Sequence, residues 1–177
     1  MRVLTFTLII LTLYLDAISQ TNFNKIWYNG AGITLSSYFV GGSVINKIVD
    51  STHLRYFTDG SSSICDSSGN LILCSDGFNL YDSNLNYIED GDTLVPPQYY
   101  VFDDGFSSYS QSSIILPFND RIYYLITATC SDGNLANLWL AAGSKKAPFD
   151  LLLVNKIDMK ANGGAGKVIE RMKPLAQ

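Results

Sequence analysis

Between Glu89 and Asp104 the chain carries five carboxylates, Glu89, Asp90, Asp92, Asp103 and Asp104. Pro96, Pro97, Tyr99, Tyr100 and Phe102 stand among them. Two facing carboxylates can divide acid–base work on a glycosidic bond, one protonating the leaving oxygen and the other acting as base or nucleophile. Clustered carboxylate oxygens also suit Ca2+. Tyrosine and phenylalanine add apolar rings, a surface for a sugar or a peptide. The double proline and Asp103-Asp104-Gly105 mark a long surface loop, where rigid β scaffolds commonly carry their binding groups. The candidate binding residues are Tyr99, Tyr100, Phe102, Asp103 and Asp104. A solvated acidic loop with no chemistry would have the same composition, so no catalytic residue is assigned.

Other constellations are weaker. His53 is the single histidine, and no Gly-x-Ser-x-Gly elbow accompanies it for a nucleophilic triad. Gly30 and Gly32 lack the third glycine and following helix of a phosphate loop. Asp59, Asp76 and Asp132 each precede a glycine, Gly60, Gly77 and Gly133. These pairs read as tight turns, because glycine accepts a positive φ without steric cost. No Asp-x-Asp-x-Asp-Gly calcium loop and no Cys-x-x-Cys is present, so no metal site is assigned. Cys65, Cys74 and Cys130 read as small buried hydrophobes. If Asp66 faces Leu71, Cys65 faces Ile72 and Cys74 is its diagonal neighbour, a poorer disulfide geometry than direct opposition.

The elements that would carry these residues are strands. Residues 1–19 read as a secretory signal peptide: Arg2, an apolar run from Val3 to Leu15, and the small-x-small site Ala17-Ile18-Ser19. Residues 20–177 then form a single all-β domain of antiparallel hairpins. N-terminal strands occupy 25–57, with turns at Gly30-Ala31-Gly32 and Gly41-Gly42. Asn79 to Tyr87 breaks its alternation, which predicts a turn or bulge near Ser83-Asn84. Ile122 to Thr129 is strongly β-prone and predicts a central strand. Asn137 to Ala142 and Leu151 to Met159 read as further strands. The turn Lys160 to Gly166 leads into a return strand from Lys167 to Met172. No stretch reads as a convincing helix. The net charge is −4 with no basic cluster, which argues against a nucleic-acid partner. No second apolar span follows the leader, so no transmembrane span is expected after cleavage.

Two segments repeat. Ser62-Ser63-Ile64 returns as Ser112-Ser113-Ile114, and Cys74-Ser75-Asp76-Gly77 returns as Cys130-Ser131-Asp132-Gly133. A spacing of roughly 50 to 56 residues per set of short strands suits propeller blades. The expected units are 58–109 and 110–172, a partial β-propeller-like stack of about two to three blades.

Four stretches, in this order, resemble the N-terminal β-propeller-like region of large secreted Bacteroidota surface proteins. They are Ile26 to Ile33, the hairpin Ile64 to Gly77, Ser112 to Thr127, and Asp158 to Val168 with its Asn162-Gly163-Gly164 turn. That resemblance implies blades followed by further modules, often ending in a sorting domain for type IX secretion or gliding motility. It implies no catalytic residues. The matched order stops at Met172 to Gln177, which implies a truncated relative, or one that self-associates through open sheet edges.

The expected function is that of an exported, non-catalytic binding or scaffold module, periplasmic, cell-surface or extracellular, with a protein or glycan partner. The alternatives are a carbohydrate-active hydrolase using the acidic loop 89–104 and a periplasmic sensor module. No cofactor is expected beyond Ca2+ at the acidic loop.

Overall fold

Short polar loops decide where the strands end. The computed structural model describes residues 26–31, 34–40, 43–50, 56–102, 107, 109, 111–131, 134 and 149–176. Strand β1 runs Ile26–Ala31, β2 Thr34–Val40, β3 Ser43–Asp50 and β4 Tyr56–Phe57. The central group is β5 Ser62–Cys65, β6 Leu71–Ser75 and β7 Leu80–Asp82. The last group is β8 Ser113–Pro117, β9 Ile122–Thr129, β10 Leu151–Asp158 and β11 Lys167–Ala176. The chain is therefore all-β with very little helix. The signal-peptide residues, His53, Asp103, Asp104, Asp132, Gly133 and the expected strand Asn137 to Ala142 lie outside the described residues.

Two loops repeat one hydrogen-bond pattern. In Asp66-Ser67-Ser68-Gly69-Asn70, the Asp66 carboxylate accepts the Ser68 and Asn70 amides at 2.8 and 2.9 Å and the Asn70 side-chain amide at 3.0 Å. In Asp82-Ser83-Asn84-Leu85-Asn86, Asp82 accepts Asn84 and Asn86 amides at 2.8 and 2.9 Å and the Asn86 side chain at 3.3 Å. These side chains supply acceptors for amides that the ladder has released. The fourth position of each loop is left-handed, Gly69 at φ 85° and Leu85 at φ 64°. The second loop is the turn expected near Ser83-Asn84.

The strands form three antiparallel sheets, ordered β3-β2-β1-β4, β5-β6-β7 and β11-β10-β9-β8. The β5–β7 sheet lies between the other two and is buried on both faces. Ile64, Leu73 and Leu80 meet Ile115, Leu125, Ile157 and Val168 of the β8–β11 sheet. On the opposite face, Cys65, Cys74 and Tyr81 meet Ile26 of β1 and Phe57 of β4. Strand β9 is internal to its sheet, as expected, and its alternate residues Tyr123, Leu125, Thr127 and Thr129 are buried.

The cysteine register departs from expectation. A bulge between Ile64 and Cys65 sets Cys65 opposite Leu71, and Cys74 opposite Ser63. All three cysteines are buried and no disulfide joins them.

The expected loop at Pro96-Pro97 holds a helix, Pro97–Phe102. Proline suits the first helical position, where its missing N–H costs nothing. The Tyr100 amide closes the first turn onto the Pro96 carbonyl at 3.0 Å. A third buried cluster, Phe78, Val95, Tyr99 and Cys130, packs beneath this helix.

Where the first two sheets' turns meet β8, the packing leaves no room for side chains. Ser62 and Ser113 hydroxyls lie 3.0 Å apart, and Ser113 donates to the Gly60 carbonyl at 2.7 Å. A β-carbon on Gly60 would fall 2.5 Å from the Ser112 hydroxyl. One on Gly77, already at φ 98°, would fall 2.5 Å from Ser107 Cβ. Asp59-Gly60 and Asp76-Gly77 are thus turns, and also points of close approach.

Candidate functional site

Strand β7 and the turn after it shape the acidic segment. Beyond the Asp82–Asn86 loop, Tyr87 bridges back to Tyr81, and their rings lie 5.0 Å apart. The Ile88 amide donates to the Leu80 carbonyl at 3.1 Å, and the Gly91 amide to the Ile88 carbonyl at 2.8 Å. This tight return places Glu89, Asp90 and Asp92 on one rim. The rim, with Tyr87, Ile88, Thr93 and Tyr100, surrounds a cavity of about 490 Å³.

Asp90 at φ 59° and Thr93 at φ 48° both hold left-handed backbone. For a β-branched residue this conformation is a strained one. Thr93 is fixed there from both sides. Its amide donates to the Asn79 side chain at 2.9 Å, and its carbonyl accepts Arg171 at 3.2 Å. Arg171 also donates to the Asp92 carbonyl at 2.6 Å.

The carboxylates are not equivalent. Lys167 lies 2.6 Å from Glu89 and 3.2 Å from Asp90, and Glu89 first, then Asp90, raises its ammonium pKa. Among the described residues no cation pairs with the Asp92 side chain. Tyr100 is held above its usual phenol range, chiefly by burial and then by the neighbouring Tyr87. Two tyrosines and one uncompensated carboxylate therefore share the cavity. Such a set can accept hydrogen bonds from ligand hydroxyls while a ring covers an apolar sugar or peptide face.

Behind this rim lies Asp76, buried and carrying four donors. The Phe78 and Asn79 amides donate at 2.9 and 2.7 Å, the Asn79 side chain at 2.8 Å, and the Tyr81 hydroxyl at 2.5 Å. Burial nevertheless pushes its carboxyl above the usual range. It is a structural acceptor that holds Asn79, and through Asn79 the Thr93 amide.

No family model, curated protein or solved structure matches this chain.

Of the expected binding residues, Tyr100 lines the cavity. Tyr99, expected on an exposed loop, is buried at 1 % exposure, its ring 5.0 Å from Phe78 and 6.1 Å from Phe149. Phe102 ends the helix. Sequence reasoning missed Tyr87, Asn79, Lys167 and Arg171. Superposing the two Asp-x-x-x-Asn loops would have found Tyr87, which follows Asn86 as Leu71 follows Asn70. Lys167 and Arg171 are distant in sequence and carry no local signal. Among the described residues no group of three or more His, Cys, Asp or Glu side chains is placed to hold a metal ion. Among them also, no helix is long and apolar enough to cross a membrane.

Proposed function

We propose that the chain is an exported, non-catalytic binding module of propeller type, with a glycan as ligand at the cavity lined by Tyr87, Asp92 and Tyr100. The observation that carries the reading is the uneven pairing of the rim. Lys167 neutralises Glu89 and Asp90, leaving the Asp92 carboxylate beside two tyrosines. That combination favours hydrogen bonding and ring stacking over paired acid–base chemistry. The propeller element rests on three stacked antiparallel sheets and on the Ser62–Ser113 contact, which sets the two Ser-Ser-Ile copies side by side.

The test is a titration of neutral and acidic oligosaccharides against the purified chain, read by calorimetry and by product analysis. Saturable binding is expected, lost in Tyr87→Ala and weakened in Asp92→Asn, with no cleavage of the sugar. Binding by no saccharide would overturn the glycan reading. Cleavage that vanishes in the double variant Asp103→Asn, Asp104→Asn would replace it with a hydrolase.

A further inference from the structure

We propose that the outer face of the β8–β11 sheet pairs with the same face of a second copy of this chain. The inward residues of this sheet are accounted for by the β5–β7 sheet. The outward residues are as apolar as the inward ones. On β9, Ile122, Tyr124, Ile126 and Ala128 alternate with the buried set and are only partly covered. On β8, Ile114 is 50 % and Leu116 40 % exposed. Along the ladder Ile114 stands opposite Ile126 and Ile126 opposite Val154. Leu116 stands opposite Tyr124, and Ala128 opposite Leu152. Phe118, 70 % exposed, extends the patch through its ring contact with Tyr124 at 6.0 Å.

A sheet with one wet face alternates apolar and polar residues along each strand; near-continuous apolar strands belong to sheets covered on both sides. The β5–β7 sheet has that double cover within the chain, and the β8–β11 sheet has the matching sequence pattern with one cover. An exposed apolar patch of this kind marks an interaction surface.

A second copy fits on three grounds. The face belongs to an antiparallel sheet, and sheets pack face to face with their strands aligned. Its charges cancel within one chain, since Lys156 and Glu170 pair at 3.2 Å, so a two-fold mate meets no net repulsion. Four strands about 4.8 Å apart, over about five residues, give a footprint of roughly 300 Å². With side-chain relief that corresponds to about 1,000 Å² of accessible surface over both copies, the lower bound for a specific dimer. A reversible dimer of modest affinity is the result. It involves neither the Tyr87 cavity nor its ligand.

The experiment is analytical ultracentrifugation of the full chain across about two decades of concentration. A monomer–dimer equilibrium is expected. The double variant Ile114→Lys, Ile126→Lys should raise the dissociation constant at least about a hundredfold, with an unchanged circular dichroism spectrum. Val101→Lys, a substitution at an exposed site on the short helix, should leave it unchanged. If the double variant fails to fold, Ile114→Lys alone on the edge strand reads the same contact and should cost about tenfold. A monomer at every concentration overturns the proposal. So does a dimer indifferent to these lysines, or an assembly that grows without closing at two.

Discussion

Replacing Gly77 by alanine tests whether the close packing of the turns against Ser107 is required by the fold. Two costs add at this position. At φ 98° an alanine enters left-handed backbone, at about 1–2 kcal/mol. Its β-carbon would also lie 2.5 Å from Ser107 Cβ and 3.2 Å from the Gly60 carbonyl oxygen. Relieving contacts that short in a packed region costs about 1–3 kcal/mol. The sum, about 2–5 kcal/mol, is a large share of the roughly 5–15 kcal/mol that holds a domain folded. Urea unfolding of wild type and Gly77→Ala should show a lower midpoint at unchanged slope. Ser107→Gly separates the two costs. Alone it loses the hydroxyl contact with Ser112 at 2.5 Å, about 1 kcal/mol. In the Gly77→Ala background it removes the clash, so the double variant should be about 1–3 kcal/mol more stable than additivity predicts. A Gly77→Ala loss below about 1 kcal/mol, or strictly additive variants, would mean that the fold does not need this close approach.

The hydrogen-bond networks give three further outcomes. Asp76→Asn would turn one acceptor into an amide facing the Asn79 side-chain donor, whose own oxygen already serves Thr93; a loss of about 2–3 kcal/mol in urea unfolding is expected. Leu85→Gly trades about 1 kcal/mol of backbone relief at φ 64° against about 2–5 kcal/mol of lost burial, so net destabilisation should appear as a lower melting temperature. The third concerns Asp158, whose carboxyl the Arg121 guanidinium holds at about 2, with hydrogen bonds at 2.8 and 2.5 Å. A lowered carboxyl pKa stabilises the fold above the ordinary value of 3.8, and that contribution fades as pH falls toward 2. The stability gap between wild type and Arg121→Met should therefore be constant near neutrality and close below pH 3.8. A gap independent of pH down to 2 would show that Asp158 does not carry it.

The strands were legible because their apolar content and turn residues agree. Ile122–Thr129 announced a central strand through its β-branched and aromatic run, and the failed alternation after Leu80 announced the Asp82 loop. The helix at Pro97 was hidden by a rule that serves loops and helix starts alike, since paired prolines open either. Val95 and Tyr99, four residues apart, were the available sign that a helical face buries there. The cavity was half legible. Its carboxylates cluster in sequence, but which of them are neutralised depends on Lys167 and Arg171, brought in by β11 from 78 or 79 residues away. The cysteine register was missed because one bulged residue shifts a strand's pairing without changing its composition.

The link between Glu89 and Lys167 bears on the order in which the molecule assembles. Hairpins closed by five-residue loops form within microseconds, since little chain must be gathered to make them. The parallel bridge from Glu89 to Lys167, with the Val168 amide on the Glu89 carbonyl at 2.9 Å, waits until β11 has docked. The rim of the cavity is therefore finished last. A chain with its first two sheets in place would still present Glu89, Asp90 and Asp92 as bare mutual repulsion, without the lysine and arginine that arrange them. Ligand competence then appears only with complete folding, and a half-folded copy has no finished site with which to capture a ligand.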